Sequence, residues 1–190
     1  ANVRNFDKIE NLVQTRQTAQ AHACIVKELR KLSHDMNFQV QASDWYRRLG
    51  LNKESLKVLK LNEISIRTNW STQLPEGRVL TQAAFVLNQL GASAFALKIA
   101  NLLHTNDPLE VSKLGEIYLA NYEYSKAEIC FQKALHGSVD KNSNKYNAIQ
   151  ISFADSLAGC GKYQDAIDVI EKIHVPTENP LLQGVCYQVI

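Results

Sequence analysis

The sequence predicts an all-α protein, a right-handed α-solenoid of stacked antiparallel helix pairs. Apolar residues recur at intervals of three and four, whereas the alternation typical of strands is not sustained. Glycine and proline divide the chain at regular places. Small residues expected to begin the second helix of each pair recur 31 to 41 residues apart, which indicates a structural repeat of variable loop length; they are Ala21, Ser55, Ala96, Ala127 and Ala166.

Composition is ordinary for a globular domain. The chain has 190 residues, of which 45% are apolar and 21% charged, and its formal net charge is +2. This length suits one domain, and we expect a single helical-repeat domain over residues 1–190. The small net charge gives no global reason to expect nucleic acid or an acidic membrane surface as partner.

Residues 1–35 are predicted to be an atypical N-terminal helix pair. One apolar stripe includes Phe6 and Ile9, and a second, in phase with the repeats, includes Ala21 and Ile25. The polar stretch 14–20 between them lacks glycine, so one long helix capping the array is the alternative. We favour two helices.

The next pairs are predicted over 36–61 and 78–104. Gly50 and Gly91 each lie between two apolar runs, where a helix ends in a left-handed residue. The polar stretch 62–77 between these pairs reads as a loop. The uncharged run 79–97 is nearly long enough for a bilayer, but its central amides and Gly91 favour two helices over a membrane span.

The clearest pair is predicted over 108–136. Asp107 suits the N-cap of its first helix, Pro108 suits the first turn, where no N–H is needed, and Glu110 completes a capping box. A polar loop is expected over 137–146.

The remaining elements are a pair over 147–174, with Gly161 at its turn, and the first helix of an unfinished pair over 179–190. The last ten residues carry no charge, although a terminal helix of a solenoid normally has a polar outer face. We therefore expect either that the protein continues beyond residue 190 or that this helix self-associates.

Several segments of the sequence resemble the repeats of a known protein family. The segment from Leu114 and Gly115 to Tyr118, followed by Ala127, Phe131 and Ala134, is similar to the tetratricopeptide repeat (TPR) pattern at its usual spacings. The segment 161–167 resembles the turn and second helix of the same repeat, and weaker copies occur around Gly50 and Gly91. The resemblance covers roughly residues 36–190 and implies divergent TPR repeats stacked as a superhelix.

The sequence offers no constellation for catalysis, and we expect a protein that is not an enzyme and has no cofactor. Its five histidines are scattered without the spacing of a metal site, and its four cysteines form no C-x-x-C pair. Free thiols suit a reducing compartment, so a cytoplasmic location is expected.

Recognition is the function that the resemblance implies. In TPR arrays the first helix of each pair lines a concave groove, which here predicts a non-catalytic scaffold that binds a peptide or helix of another protein, acidic in character. The alternative is a structural subunit that assembles through repeat stacking. Neither nucleic acid binding nor membrane insertion is expected. The predicted groove residues are Asp44, Arg47, Arg48, Arg78, Gln82, Phe85, Asn88, Gln89, Lys113, Glu116, Ser152 and Asp155.

Two features narrow this prediction. The clamp of lysine, asparagine and arginine with which some TPR proteins grip a C-terminal carboxylate is missing, because its positions hold residues such as Val40 and Asp44. In addition, residues 1–60 contain 11 Lys and Arg against 6 Asp and Glu. This excess is either a docking surface for an acidic partner or a set of solvated helix faces.

Overall fold

The computed structural model describes residues 3–60, 77–137 and 139–173, and these contain ten helices and no strand. The chain divides into two compact units, Ala1–Leu90 and Gly91–Ile190. The single domain predicted from the sequence remains a prediction. Residues 62–76 of the predicted loop 62–77 and the predicted helix 179–190 lie outside the described residues. The all-α fold class is confirmed.

The first unit contains five helices. Residues 3–29 form a pair of helices rather than one long helix, and the second predicted pair follows directly. Phe6 and Phe38 stack at 5.3 Å between ring centroids, and Trp45 meets both rings edge-on. The helices are α1 (Val3–Gln14), α2 (Thr18–Leu29), α3 (Met36–Arg48), α4 (Asn52–Val58) and α5 (Gly77–Gln89).

The second unit also contains five helices. The predicted pair 108–136 is present with those bounds, whereas the following pair begins at Asn144, earlier than predicted, because the side chain of Ser143 caps the amide of Tyr146 at 3.1 Å. The helices are α6 (Ser93–Ala100), α7 (Pro108–Ala120), α8 (Tyr124–His136), α9 (Asn144–Gly159) and α10 (Tyr163–Glu171).

The start of α7 differs from the predicted capping box in one hydrogen bond. The Asp107 carboxylate accepts from the amides of Leu109 and Glu110, as an N-cap should. However, the hydroxyl of Thr105 accepts a hydrogen bond from the amide of Asp107 and donates one to the Glu110 carboxylate. Glu110 therefore supports the cap through Thr105.

The close approach of α7 and α8 depends on a missing side chain. A Cβ atom at Gly115 would lie 2.8 Å from Cε1 of Phe131, which is closer than packed carbon atoms tolerate. The Phe131 ring is fully buried together with Ala127, Ala134 and Ile149, so it also joins this pair to α9. The small residues predicted at the crossing thus create the space that the ring fills.

Candidate functional site

The first helices α3 and α5 bring three of the predicted groove residues together. The Arg47 guanidinium lies 4.8 Å from the ring centroid of Phe85 and donates to the Asp44 carboxylate at 3.1 and 3.3 Å. A cation over an aromatic face is attracted by the ring's quadrupole, and the carboxylate limits its rotation. Because the Arg47 side chain is only 21% exposed, its charge is held in one place beside α5.

Arg78, Asn88 and Gln89 complete the predicted set on α5. Arg78 is exposed and donates a hydrogen bond to the side chain of Asn37 on α3. Asn88 is partly buried and Gln89 is exposed at the end of the helix. The prediction missed Asn37, although it lies seven residues before Asp44 on the same helix, a spacing that places both on one face.

Gln82 was wrongly predicted to line a binding surface, because its side chain is fully buried. Its amide donates to the Ser43 hydroxyl at 3.2 Å, and that hydroxyl lies 2.8 Å from the hydroxyl of Ser55. Ser55 in turn donates to the Ser43 carbonyl at 2.6 Å. These three side chains form a buried polar network that joins α3, α4 and α5, so Gln82 has a structural role.

Arg48 binds another helix of its own unit, and its place in the predicted groove stays a prediction. Its guanidinium forms two hydrogen bonds with the Glu10 carboxylate on α1, at 2.7 and 3.0 Å. The Trp45 indole donates to the same carboxylate at 2.7 Å. Burial alone would raise the pKa of Glu10, but the hydrogen bonds from Arg48 and Trp45 outweigh it and lower that pKa below its usual value.

We expect Glu10→Gln to lower the free energy of unfolding by about 1 kcal/mol at pH 7, a modest figure because the Glu10 side chain is 36% exposed. A lowered folded-state pKa means that the carboxylate stabilises the protein above the unfolded pKa of about 4.3, and that this contribution is lost as the pH falls through the folded pKa. Urea denaturation of both proteins should therefore show a difference that shrinks below about pH 4.3. An equal difference at pH 7 and at pH 3 would contradict this role.

In the second unit, the first helices α7 and α9 carry the other four predicted residues. The Ser152 hydroxyl donates to the Glu116 carboxylate, which joins α9 to α7. Lys113 is partly buried one turn before Glu116, and Asp155 is exposed one turn after Ser152. Partial burial of the Asp155 carboxyl group nevertheless raises its pKa. This surface is polar and carries both signs of charge.

Metal sites and membrane spans are the other features to consider in the described residues. No group of three or more His, Cys, Asp or Glu side chains in 3–60, 77–137 and 139–173 is placed to hold a metal ion. Within the same ranges, none of the helices has the length and apolar character needed to cross a bilayer.

Comparisons with known proteins identify the fold. No protein-family model and no curated protein matches the sequence. Among solved structures, the TPR-like repeats of a Podosopora anserina kinesin light chain are similar in a variant form, with 13% identity, a TM-score of 0.52, and coverage of 97% of this chain and 94% of that chain. A second structure of these repeats has the same identity and coverage and a TM-score of 0.50. MamA is also similar, at 14% identity, a TM-score of 0.48, and coverage of 88% and 89%.

The chain therefore has the fold of a TPR-like helical repeat protein. The fold and the resemblance of 114–134 to the repeat pattern agree. At 13% identity the likeness concerns the fold, and the function depends on the surfaces described above.

Proposed function

We propose that the protein is a non-catalytic scaffold that binds a peptide or helix of a partner protein on the first helices of its repeats. The observation that supports this most is the arrangement of Asp44, Arg47 and Phe85 across α3 and α5. The Phe85 ring is itself buried and fixes the partly exposed Arg47 cation, and arginines are enriched where proteins bind one another.

The chemistry of this surface favours a partner with acidic side chains. Arg47 already shares its charge with Asp44, and a carboxylate from a partner can bind the remaining donors of the guanidinium. Arg78 adds a second, exposed guanidinium near the start of α5. Gln89 can bond to the backbone of a bound segment as both donor and acceptor, whereas the buried oxygen of Asn88 leaves that residue only its N–H donors.

We propose that the surface of the second unit binds a different segment of the partner. Glu116 and Asp155 are acceptors, and Lys113 is a donor, so this surface suits a polar segment with donors such as serine, asparagine or lysine. The proposal treats the two surfaces separately, and each can be tested by variants of its own residues.

The test is to select binders from a random peptide library displayed on phage, and to measure their affinity by fluorescence anisotropy. The selected peptides should be rich in Asp and Glu. The double variant Arg78→Ala and Asn88→Ala should bind them about tenfold more weakly, because truncated anchor residues commonly cost about 1 kcal/mol or more.

The matched control is Lys141→Ala with Asn142→Ala, an exposed cation and an amide in the loop before α9. It should leave the affinity unchanged within about twofold, since it removes similar groups from outside the proposed surface. Circular dichroism melts should show that both variants remain folded. Failure to select any peptide, or equal affinity of the two variants, would overturn the proposal.

A further inference from the structure

Four of the six acidic residues within 5–60 form contacts inside the first unit. Glu10 accepts from Arg48 and Trp45, and Asp44 accepts from Arg47. Glu28 is only 7% exposed and accepts from Asn5 and Lys31. Asp35 caps α3 by accepting from the amide of Phe38. Asp7 and Glu54 are the two other acidic residues within 5–60, and both are exposed.

The basic residues are distributed in the opposite way. Seven of them are exposed and form no ion pair among the described residues 5–60: Lys8, Arg16, Lys27, Arg30, Lys53, Lys57 and Lys60. Within 5–60 there are thus seven exposed cations without an ion pair, compared with two exposed carboxylates and the capping carboxylate of Asp35. The charge excess within residues 5–60 is therefore concentrated on their surface.

Four of these cations lie on α2, at its C-cap and on α4, and are called the basic face: Lys27, the C-cap residue Arg30, Lys53 and Lys57. Each helix carries its two cations three or four residues apart, so they lie about one turn, or roughly 5 Å, from each other. That spacing is shorter than the screening length of about 8 Å at physiological salt, so their fields add.

Both α2 and α4 pack against α3. The Tyr46 hydroxyl lies 3.0 Å from Nδ1 of His22 on α2. Burial raises the pKa of Tyr46 to about 12, and the negative charge of Glu54 on α4 adds to that shift. Both helices also contribute to the apolar core formed with α3. The outward cations of α2 and α4 therefore belong to neighbouring surfaces.

We propose that the basic face docks an acidic polypeptide segment, as a second surface separate from the one on the first helices. The occupant is identified by charge complementarity: four cations, two on each helix, match a segment with carboxylates spaced about a helical turn apart. A segment in which Glu or Asp recurs at this spacing can pair with all four cations, whereas a single acidic residue cannot.

Two other polyanions fit this face less well. Exposed large hydrophobic side chains of the described residues are Leu90, Leu102, Leu109, Tyr122, Ile129 and Tyr163, and none of these lies on α1 to α4. Single-stranded nucleic acid needs aromatic platforms, and an interfacial membrane helix needs an apolar face beside its cations.

The experiment measures the affinity of a fluorescein-labelled peptide of repeating Glu-Glu-Ser, with repeating Gln-Gln-Ser as the neutral probe. The quadruple variant Lys27→Gln, Arg30→Gln, Lys53→Gln and Lys57→Gln should bind the acidic peptide at least about tenfold more weakly. Raising the salt from about 50 to 300 mM should weaken binding of the unmodified protein by a similar factor. The neutral peptide should not bind.

The matched control removes the same number of charges from the second unit, at four exposed lysines: Lys98→Gln, Lys133→Gln, Lys141→Gln and Lys145→Gln. A general effect of net charge would weaken both quadruple variants equally and would overturn the proposal. So would an affinity for a 20-nucleotide single strand or for phosphatidylserine vesicles that equals the affinity for the acidic peptide.

The basic face and the proposed surface on the first helices can be tested independently of each other. If the acidic peptide binds to the basic face alone, its affinity is unchanged by Arg78→Ala with Asn88→Ala, because that double variant does not alter α2 or α4. If that double variant abolishes binding of the acidic peptide and the quadruple variant on α2 and α4 does not, the basic face is wrong and the surface on α3 and α5 stands.

Discussion

Phe131→Ala is expected to lower the free energy of unfolding by about 3–5 kcal/mol. The ring is fully buried among Ala127, Ala134 and Ile149, and it fills the space left by Gly115 on the facing helix. Its removal forfeits the transfer free energy of the ring and leaves a cavity that three small neighbours cannot close. Guanidinium chloride denaturation followed by far-ultraviolet circular dichroism measures the loss.

The contact between Phe131 and Gly115 can be isolated by a double-mutant cycle. Gly115→Ala alone should destabilise the protein by about 1–2 kcal/mol, since its Cβ would lie 2.8 Å from the ring. In the Phe131→Ala background the same change should stabilise by about 0.5–1 kcal/mol, because alanine favours the helix once the ring is gone. If Gly115→Ala has the same sign in both backgrounds, the ring does not limit the approach of α7 and α8.

The repeat fold could be predicted because its requirements are local and periodic. Gly50 and Gly161 were expected at turns, and both adopt positive φ angles, +77° and +78°. Asp107 was expected to cap a helix, and it does. Gly115 and Ala127 were expected at a close crossing, where their small size is the physical condition for contact.

The turns without glycine could not be read from the same signals. Arg16 and Tyr122 occupy left-handed positions at φ 54° and 61°, between α1 and α2 and between α7 and α8. Neither residue type marks such a position, because the conformation costs an L side chain free energy that only the surrounding helix pair offsets. The turn at Tyr122 was predicted from the helices on either side of it.

The sequence indicated some residues of the candidate site, but it did not indicate which face of α5 is exposed. Asp44, Arg47 and Phe85 lie together as the periodicity of first helices implies. However, every residue from Val79 to Leu87 is buried, so α5 has no polar stripe in this stretch to show which face binds. Gln82 was therefore assigned to a surface although it belongs to a buried network. Arg48 follows Arg47 directly, and only the position of Glu10 on α1 separates their roles.

Trp45→Ala should also lower the free energy of unfolding by about 3–5 kcal/mol, in the first unit. The side chain is 1% exposed, and its ring lies edge-on to Phe6 and Phe38 at 6.0 Å from each centroid. The substitution removes this aromatic packing, worth more than its buried area alone, together with the hydrogen bond to Glu10. Thermal and urea denaturation, followed by circular dichroism at 222 nm, measure the effect.

Trp45→Phe is the variant that separates packing from hydrogen bonding. It keeps an aromatic ring against Phe6 and Phe38 but lacks the indole N–H, so we expect a loss of only about 1–2 kcal/mol. Combining it with Glu10→Gln should cost less than the two single changes added together, because Trp45→Phe removes the indole donor and Glu10→Gln weakens the same hydrogen bond by replacing a charged acceptor with a neutral one. Strict additivity would mean that the indole and the Glu10 carboxylate act independently, and a loss as large as that of Trp45→Ala would mean that the aromatic cluster tolerates no ring other than indole.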